Sequence, residues 1–216
     1  MDIQPIKDDK PKTRLEALAD GTFAIVFTIL VLELIIKDVH FNNADSFKNL
    51  LLSLLPKFLS YILSFAILAS YWIGHVEQLY FVTHINRQFI LTNLLFLFFI
   101  TLIPFSTTLI SGFRQFPLSA RIYGINLLCC QLSFYLNWRL ASSSRLQEQR
   151  LERKIIKGHQ HYIILGLALQ SAGIGFSYIN AGIGLFILAL VPIIYIILFA
   201  ADKKGFKDSY TKTSIK

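Results

Sequence analysis

The chain has 216 residues, 54% hydrophobic and only 16% charged, with a formal net charge of +8 and a mean hydropathy of +0.55. That balance excludes an ordinary soluble domain and predicts an all-α integral membrane protein, in which charged clusters separate long apolar runs. It does not favour nucleic acid as a partner, because the basic residues stand at the ends of the apolar runs, where they meet lipid headgroups and set orientation.

Six runs are long enough to cross about 30 Å of hydrocarbon at about 1.5 Å per residue. They are Arg14 to Ile36, Pro56 to Gly74, Phe89 to Leu109, Ala120 to Leu140, Gly158 to Tyr178 and Ala181 to Ala200. Residues 1–13 are predicted to form a cytoplasmic N-terminus, 14–200 one six-helix transmembrane domain, and 201–216 a basic cytoplasmic tail. Met1 to Thr13 mixes lysines with aspartates, so no cleavable signal peptide is expected and the first span should be retained.

The first span carries the most information. Thr13 and Glu16 have the spacing of a capping box, which predicts a helix starting at Arg14. Asp20 lies roughly two turns further on, where an ionised carboxylate costs several kcal/mol unless it is paired or faces water. It is either a functional group or a structural acceptor at headgroup depth, with Arg14 in reach as a partner. At about 100° per residue, Gly21, Ile25, Thr28, Leu32 and Ile36 share a stripe about 80° wide, while Asp20, Phe27 and Val31 occupy another face. Several copies of the first stripe around an axis would place Ile25 and Leu32 as apolar constrictions and Thr28 as a ring of oxygen ligands for a cation. Ordinary helix packing uses the same pattern. Glu33 near the outer end would concentrate cations at a pore mouth, or is a plain interfacial charge.

Pro56 suits the first turn of the second span, so Asp45 to Leu55 is expected to be a separate amphipathic interfacial helix. Tyr71, Trp72, Tyr80 and Phe81 mark the opposite interface. Pro104 should kink the third span, with Ser106 and Thr107 able to satisfy freed backbone groups. Cys129 and Cys130 are adjacent inside the fourth span and lack metal-ligand spacing. Ser142 to Lys157 reads as a charged cytosolic extension of the neighbouring helices. The last two spans meet at Asn180 and Ala181, which requires a tight antiparallel hairpin, and Gly166, Ala168, Ala172, Gly173 and Gly175 offer small surfaces for it.

Lys and Arg fix the expected orientation. Sixteen of them lie in the N-terminus, second loop, fourth loop and tail, against four (Lys37, Lys48, Arg114 and Arg121) on the other side, with Lys57 snorkelling from within the second span. Both termini are therefore expected to be cytoplasmic in a multi-pass cell (plasma) membrane protein surrounded by lipids.

Arg14 and the run Asp20-Gly21-Thr22-Phe23-Ala24-Ile25-Val26-Phe27-Thr28-Ile29-Leu30-Val31-Leu32 resemble the first-helix signature of the bacterial relatives of the lysosomal potassium channel, the transmembrane protein 175 family. Tyr61 to Phe65 through Trp72 and His75, and Asn93 to Leu97 through Pro104-Phe105-Ser106, resemble the family's second and third helices. The resemblance implies six spans, a homotetramer, and a pore lined by the first helix in place of a carbonyl filter. It implies potassium as the permeant ion, Ile25 as the narrow constriction, Thr28 as the hydroxyl layer associated with potassium preference, and Leu32 as a second apolar ring. The family's Phe-Ser-Asp triplet is Leu18-Ala19-Asp20 here, and its paired histidines are reduced to His75-Val76. The cytoplasmic polar network implied by the resemblance then comprises Arg14, Asp20, Trp72, His75 and Asn93.

The leading expectation is a weakly selective potassium-permeable cation channel without a cofactor. The alternative is a proton-coupled or facilitative small-solute transporter using Asp20, Glu33 and His75 as relay groups. An enzyme is not expected, because no nucleophile and base, metal cluster or phosphate loop stands at usable spacing.

Overall fold

The structure, a computed structural model, describes residues 10–35, 44–82, 85–113, 115–143 and 153–201. Residues 1–9 of the expected N-terminus, most of the Ser142 to Lys157 extension, Ile36 and residues 202–216 of the basic tail lie outside the described residues. Within them the regular structure is helical, with no β-strand. Helix α1 (Lys10–Val31) is continued by a 3-10 turn over Leu32–Leu34 and is followed by α2 (Ala44–Phe81), α3 (Arg87–Thr101), α4 (Ile103–Gly112), α5 (Pro117–Ser143), α6 (Arg153–Phe176) and α7 (Ala181–Ala201).

Three stretches are long and apolar enough to cross a membrane: Pro11–Leu34, Phe47–Phe81 and Arg87–Gly112. Helices α6 and α7 contribute the shorter apolar stretches Ile163–Phe176 and Ala181–Tyr195. Helix α5 is the polar one, and its polar side chains turn inward: Ser119, Asn126, Gln131, Ser133 and Asn137 are all buried.

Two expectations about helix ends need correction. The Thr13–Glu16 capping box does not start α1, which begins a turn earlier, at Lys10. Pro11 occupies the first turn, where its missing N–H costs nothing, and Lys12 pairs with Glu16 at 3.5 Å across one helical turn. Nor does Pro56 separate an interfacial helix from the second span, because it lies inside one continuous helix, α2, of 38 residues. At about 1.5 Å per residue that helix is about 57 Å long, well beyond the thickness of a hydrocarbon core.

Pro104 does interrupt the third run. Helix α3 ends at Thr101 and α4 starts at Ile103, with Leu102 at φ −85° and ψ −7° between them. The hydroxyls of Ser106 and Thr107 both bond the carbonyl of Ile103, at 3.0 and 2.8 Å. Asn86 caps α3, its side-chain oxygen accepting from the Phe89 N–H at 2.8 Å.

Helix α1 lies in front, between α2 and the α3–α4 pair, with α5 behind and α6 and α7 beyond it. Lipid tails are as apolar as leucine, so helix association rests on close packing and on polar contacts between helices. Phe96 centres the packing: its ring lies 5.4–6.2 Å from those of His75, Phe134, Tyr71 and Phe23. Two sets of polar contacts tie α5 to its neighbours. Ser64, Thr107 and Tyr123 join α2, α4 and α5 through contacts of 2.7 and 2.9 Å. Gln170 of α6 donates to the Tyr71 hydroxyl at 2.9 Å, and Tyr71 donates to the Leu127 carbonyl at 2.9 Å.

The hairpin of α6 and α7 is as tight as the sequence requires. Asn180 caps α7, its side-chain oxygen accepting from the N–H groups of Gly182 and Ile183. A Cβ on Gly173 would stand 2.9 Å from Leu188, and one on Gly166 would stand 2.9 Å from the Gln131 amide nitrogen. Gly175 takes no part, having open space around it.

Candidate functional site

The two faces of α1 differ sharply in what covers them. Leu15, Ala19, Phe23, Val26 and Leu30 are buried, Leu30 completely, at spacings of four, four, three and four residues. Gly21, Ile25, Thr28 and Leu32 lie on the opposite side and are exposed, Ile25 at 59% and Leu32 at 55%. A Cβ on Gly21 would touch nothing within 4 Å, so no contact within the chain requires a glycine there. The Thr28 hydroxyl donates to the Ile25 carbonyl at 2.8 Å. That bond uses its hydrogen and leaves the oxygen turned outward as an acceptor.

Asp20 points to α2, where the Trp72 indole N–H donates to its carboxylate at 3.2 Å. Phe27, on the same side, meets Phe65 of α2 with ring centroids 4.8 Å apart. His75 and Asn93 form a separate pair: both are buried, their Nε2 and Nδ2 atoms lie 2.9 Å apart, and the His75 ring stacks on Phe96 at 5.4 Å. Of the five residues in the expected polar network, the structure thus brings together Asp20 with Trp72 and His75 with Asn93. Arg14 is exposed, and among the described residues it joins neither pair.

Glu33 turns away from the exposed stripe. Its carboxylate accepts from the Thr108 hydroxyl of α4 at 2.6 Å. It closes one end of a groove of about 420 Å³ between α1 and α3–α4, whose walls include Ile25, Ile29, Thr101 and Phe105. No periodicity along one helix predicts this groove, because it exists only where the Pro104 break meets α1. Among the described residues no group of three or more His, Cys, Asp and Glu could hold a metal ion.

The sequence profile of a family described as the endosomal/lysosomal potassium channel TMEM175 matches residues 14–104, which include the stripe and both polar pairs. A potassium channel of Chryseobacterium sp. (strain P1-3) is 30% identical over 200 residues, covering 92% of this chain and 99% of the relative. The chain belongs to the TMEM175 family. A further TMEM175 relative, a potassium channel of Chamaesiphon minutus, is 29% identical over 184 residues, covering 82% of this chain and 91% of its own. The endosomal/lysosomal proton channel TMEM175 of Homo sapiens is 33% identical over 112 residues, about half of this chain but 22% of the human protein. The fold agrees with the crystal structure of a lysosomal potassium-selective channel TMEM175 homolog from Chamaesiphon minutus. The TM-score is 0.75 at 24% identity, covering 88% of this chain and 98% of the other. The family is one of ion channels, and the chain is a membrane protein of that class.

Proposed function

We propose that this chain forms a weakly selective, potassium-permeable cation channel in which α1 lines the pore of a homotetramer. The observation that carries the reading is the exposure of Gly21, Ile25, Thr28 and Leu32 on a helix whose opposite face is fully packed. One copy of α1 cannot enclose a pathway, so the stripe needs other copies of itself. Around a fourfold axis, Ile25 and Leu32 supply rings that dewet and narrow the path. Thr28 places four outward hydroxyl oxygens between them, which replace part of the hydration shell of a potassium ion.

Six spans, with both termini in the cytoplasm of a plasma-membrane protein, are the arrangement that the charge bias favours, and the helices that stand at each apolar run support it. Asp20 with Trp72, and His75 with Asn93, brace α1 and α3 against α2 and act on the pore only by holding it. Glu33 adds negative potential near the outer mouth while bonded to Thr108. The transporter alternative is less well supported, because Asp20, Glu33 and His75 face three different neighbours and form no chain of relay groups.

Reconstitution into liposomes tests the reading. Purified protein is expected to run as a tetramer and to give potassium flux above protein-free vesicles. A monomer, or flux equal to the empty control, would overturn it.

A further inference from the structure

The geometry points to a specific contact between adjacent copies: the groove beside Pro104 in one subunit receives the Phe58, Ile62 and Phe65 ridge of α2 from the next. This rests on the tetrameric reading above and adds to it the surfaces by which the ring closes.

The two surfaces lie on opposite shoulders of α1. Asp20 and Phe27 point from α1 to α2, whereas Ile29 and Glu33 face α3–α4, and the exposed Gly21, Ile25, Thr28 and Leu32 stand between them. On the α2 shoulder, Phe58, Ile62 and Phe65 are exposed at spacings of four and three, a continuous ridge of bulky side chains. On the other shoulder the break between Thr101 and Ile103 leaves the concave groove, walled by Ile25, Ile29, Thr101, Pro104 and Phe105.

The two surfaces also match in depth. Asp20 with Trp72, and Phe27 with Phe65, set the antiparallel register of α1 and α2. In that register Ile62 lies level with Leu30, inside the stretch of α1 from Thr22 to Glu33 that walls the groove. A ring built around the exposed stripe is head-to-tail, so the ridge shoulder of each copy meets the groove shoulder of its neighbour. Helices packed side by side at about 8–10 Å leave no layer of lipid between those shoulders. The partner that fits is therefore a second copy of this chain, bringing a ridge into a groove that no single copy fills.

Two variants in a background carrying Cys129→Ala and Cys130→Ala test the contact. Ile62→Cys and Phe105→Cys chains are reconstituted separately and together, then treated with a short bifunctional maleimide. Covalent dimers are expected only in the mixture, and a chain carrying both substitutions should give a ladder up to the tetramer. A tetramer that gives no cross-link in the mixture, as when lipid fills the groove, overturns the contact while leaving the pore reading intact. Self-linking of either single variant at the level of the mixture also overturns it. A monomer overturns both. Independently, Thr101→Trp fills the groove from its exposed wall without entering the core, and it should shift tetramer to monomer while the helical circular dichroism is unchanged. Full retention of the tetramer contradicts the contact.

Discussion

Trp72 of α2 donates its indole N–H to the Asp20 carboxylate of α1 at 3.2 Å, next to Gly21, where the exposed stripe of α1 begins. The bond holds the angle of α1 about its own axis, and that angle decides which side chains face outward together.

Loss of that bond should weaken folding or assembly more than permeation. Asp20→Ala and Trp72→Phe are each expected to cost about 1 kcal/mol or less, the scale of a net hydrogen bond at an exposed site. Combining them should cost less than the sum, since each removes the same interaction. Thermal unfolding and oligomer size in detergent read the effect. A loss of ion preference with stability untouched would assign Asp20 to the pore instead.

Thr28 carries the prediction about ion preference. Thr28→Val keeps the shape and removes the outward oxygen, so the potassium-to-sodium permeability ratio should fall. A loss on the order of 1 kcal/mol of preferential coordination corresponds to about fivefold. Thr28→Ser should retain the ratio. Bi-ionic reversal potentials measure both, and an unchanged ratio in Thr28→Val would show that the hydroxyl layer is elsewhere.

Gly166 and Gly175 should respond oppositely to the same change. A Cβ at Gly166 would stand 2.9 Å from the Gln131 amide nitrogen and 3.1 Å from the Tyr195 hydroxyl, the two partners whose hydrogen bond joins α5 to α7 at 2.7 Å. Gly166→Ala should therefore destabilise by about 1–3 kcal/mol through overpacking. Gly175→Ala meets open space and should be neutral or slightly stabilising in thermal unfolding, because alanine favours helix.

Much of α1 was legible because it depends on one helix alone. The period that places Gly21, Ile25, Thr28 and Leu32 on one stripe is a property of the sequence, and the structure leaves that stripe exposed. The tight α6–α7 hairpin was legible for the same reason, since a connection ending at Asn180 allows little else. Contacts between distant helices left no such trace. Tyr71 and Gln170 are 99 residues apart, and neither residue type announces its partner. The polar network was half visible: its residues were named, but the division into Asp20 with Trp72 and His75 with Asn93 depends on where α1, α2 and α3 lie against one another. Pro56 misled because a proline reads equally well as a helix start or as a residue inside a helix. Only the helix-forming residues on both sides, which continue α2 through it, decide between the two.

Aqueous accessibility along α1 tests the central claim most directly. In the same background lacking Cys129 and Cys130, cysteine is placed singly at Ile25, at Thr28 and, as a control, at Ile125, which is half-exposed on α5. Potassium flux from proteoliposomes is then followed as silver ion is added. Flux through Ile25→Cys and Thr28→Cys is expected to be blocked while Ile125→Cys conducts as before. Equal response at all three positions, or block at Ile125→Cys alone, would contradict a pore lined by α1.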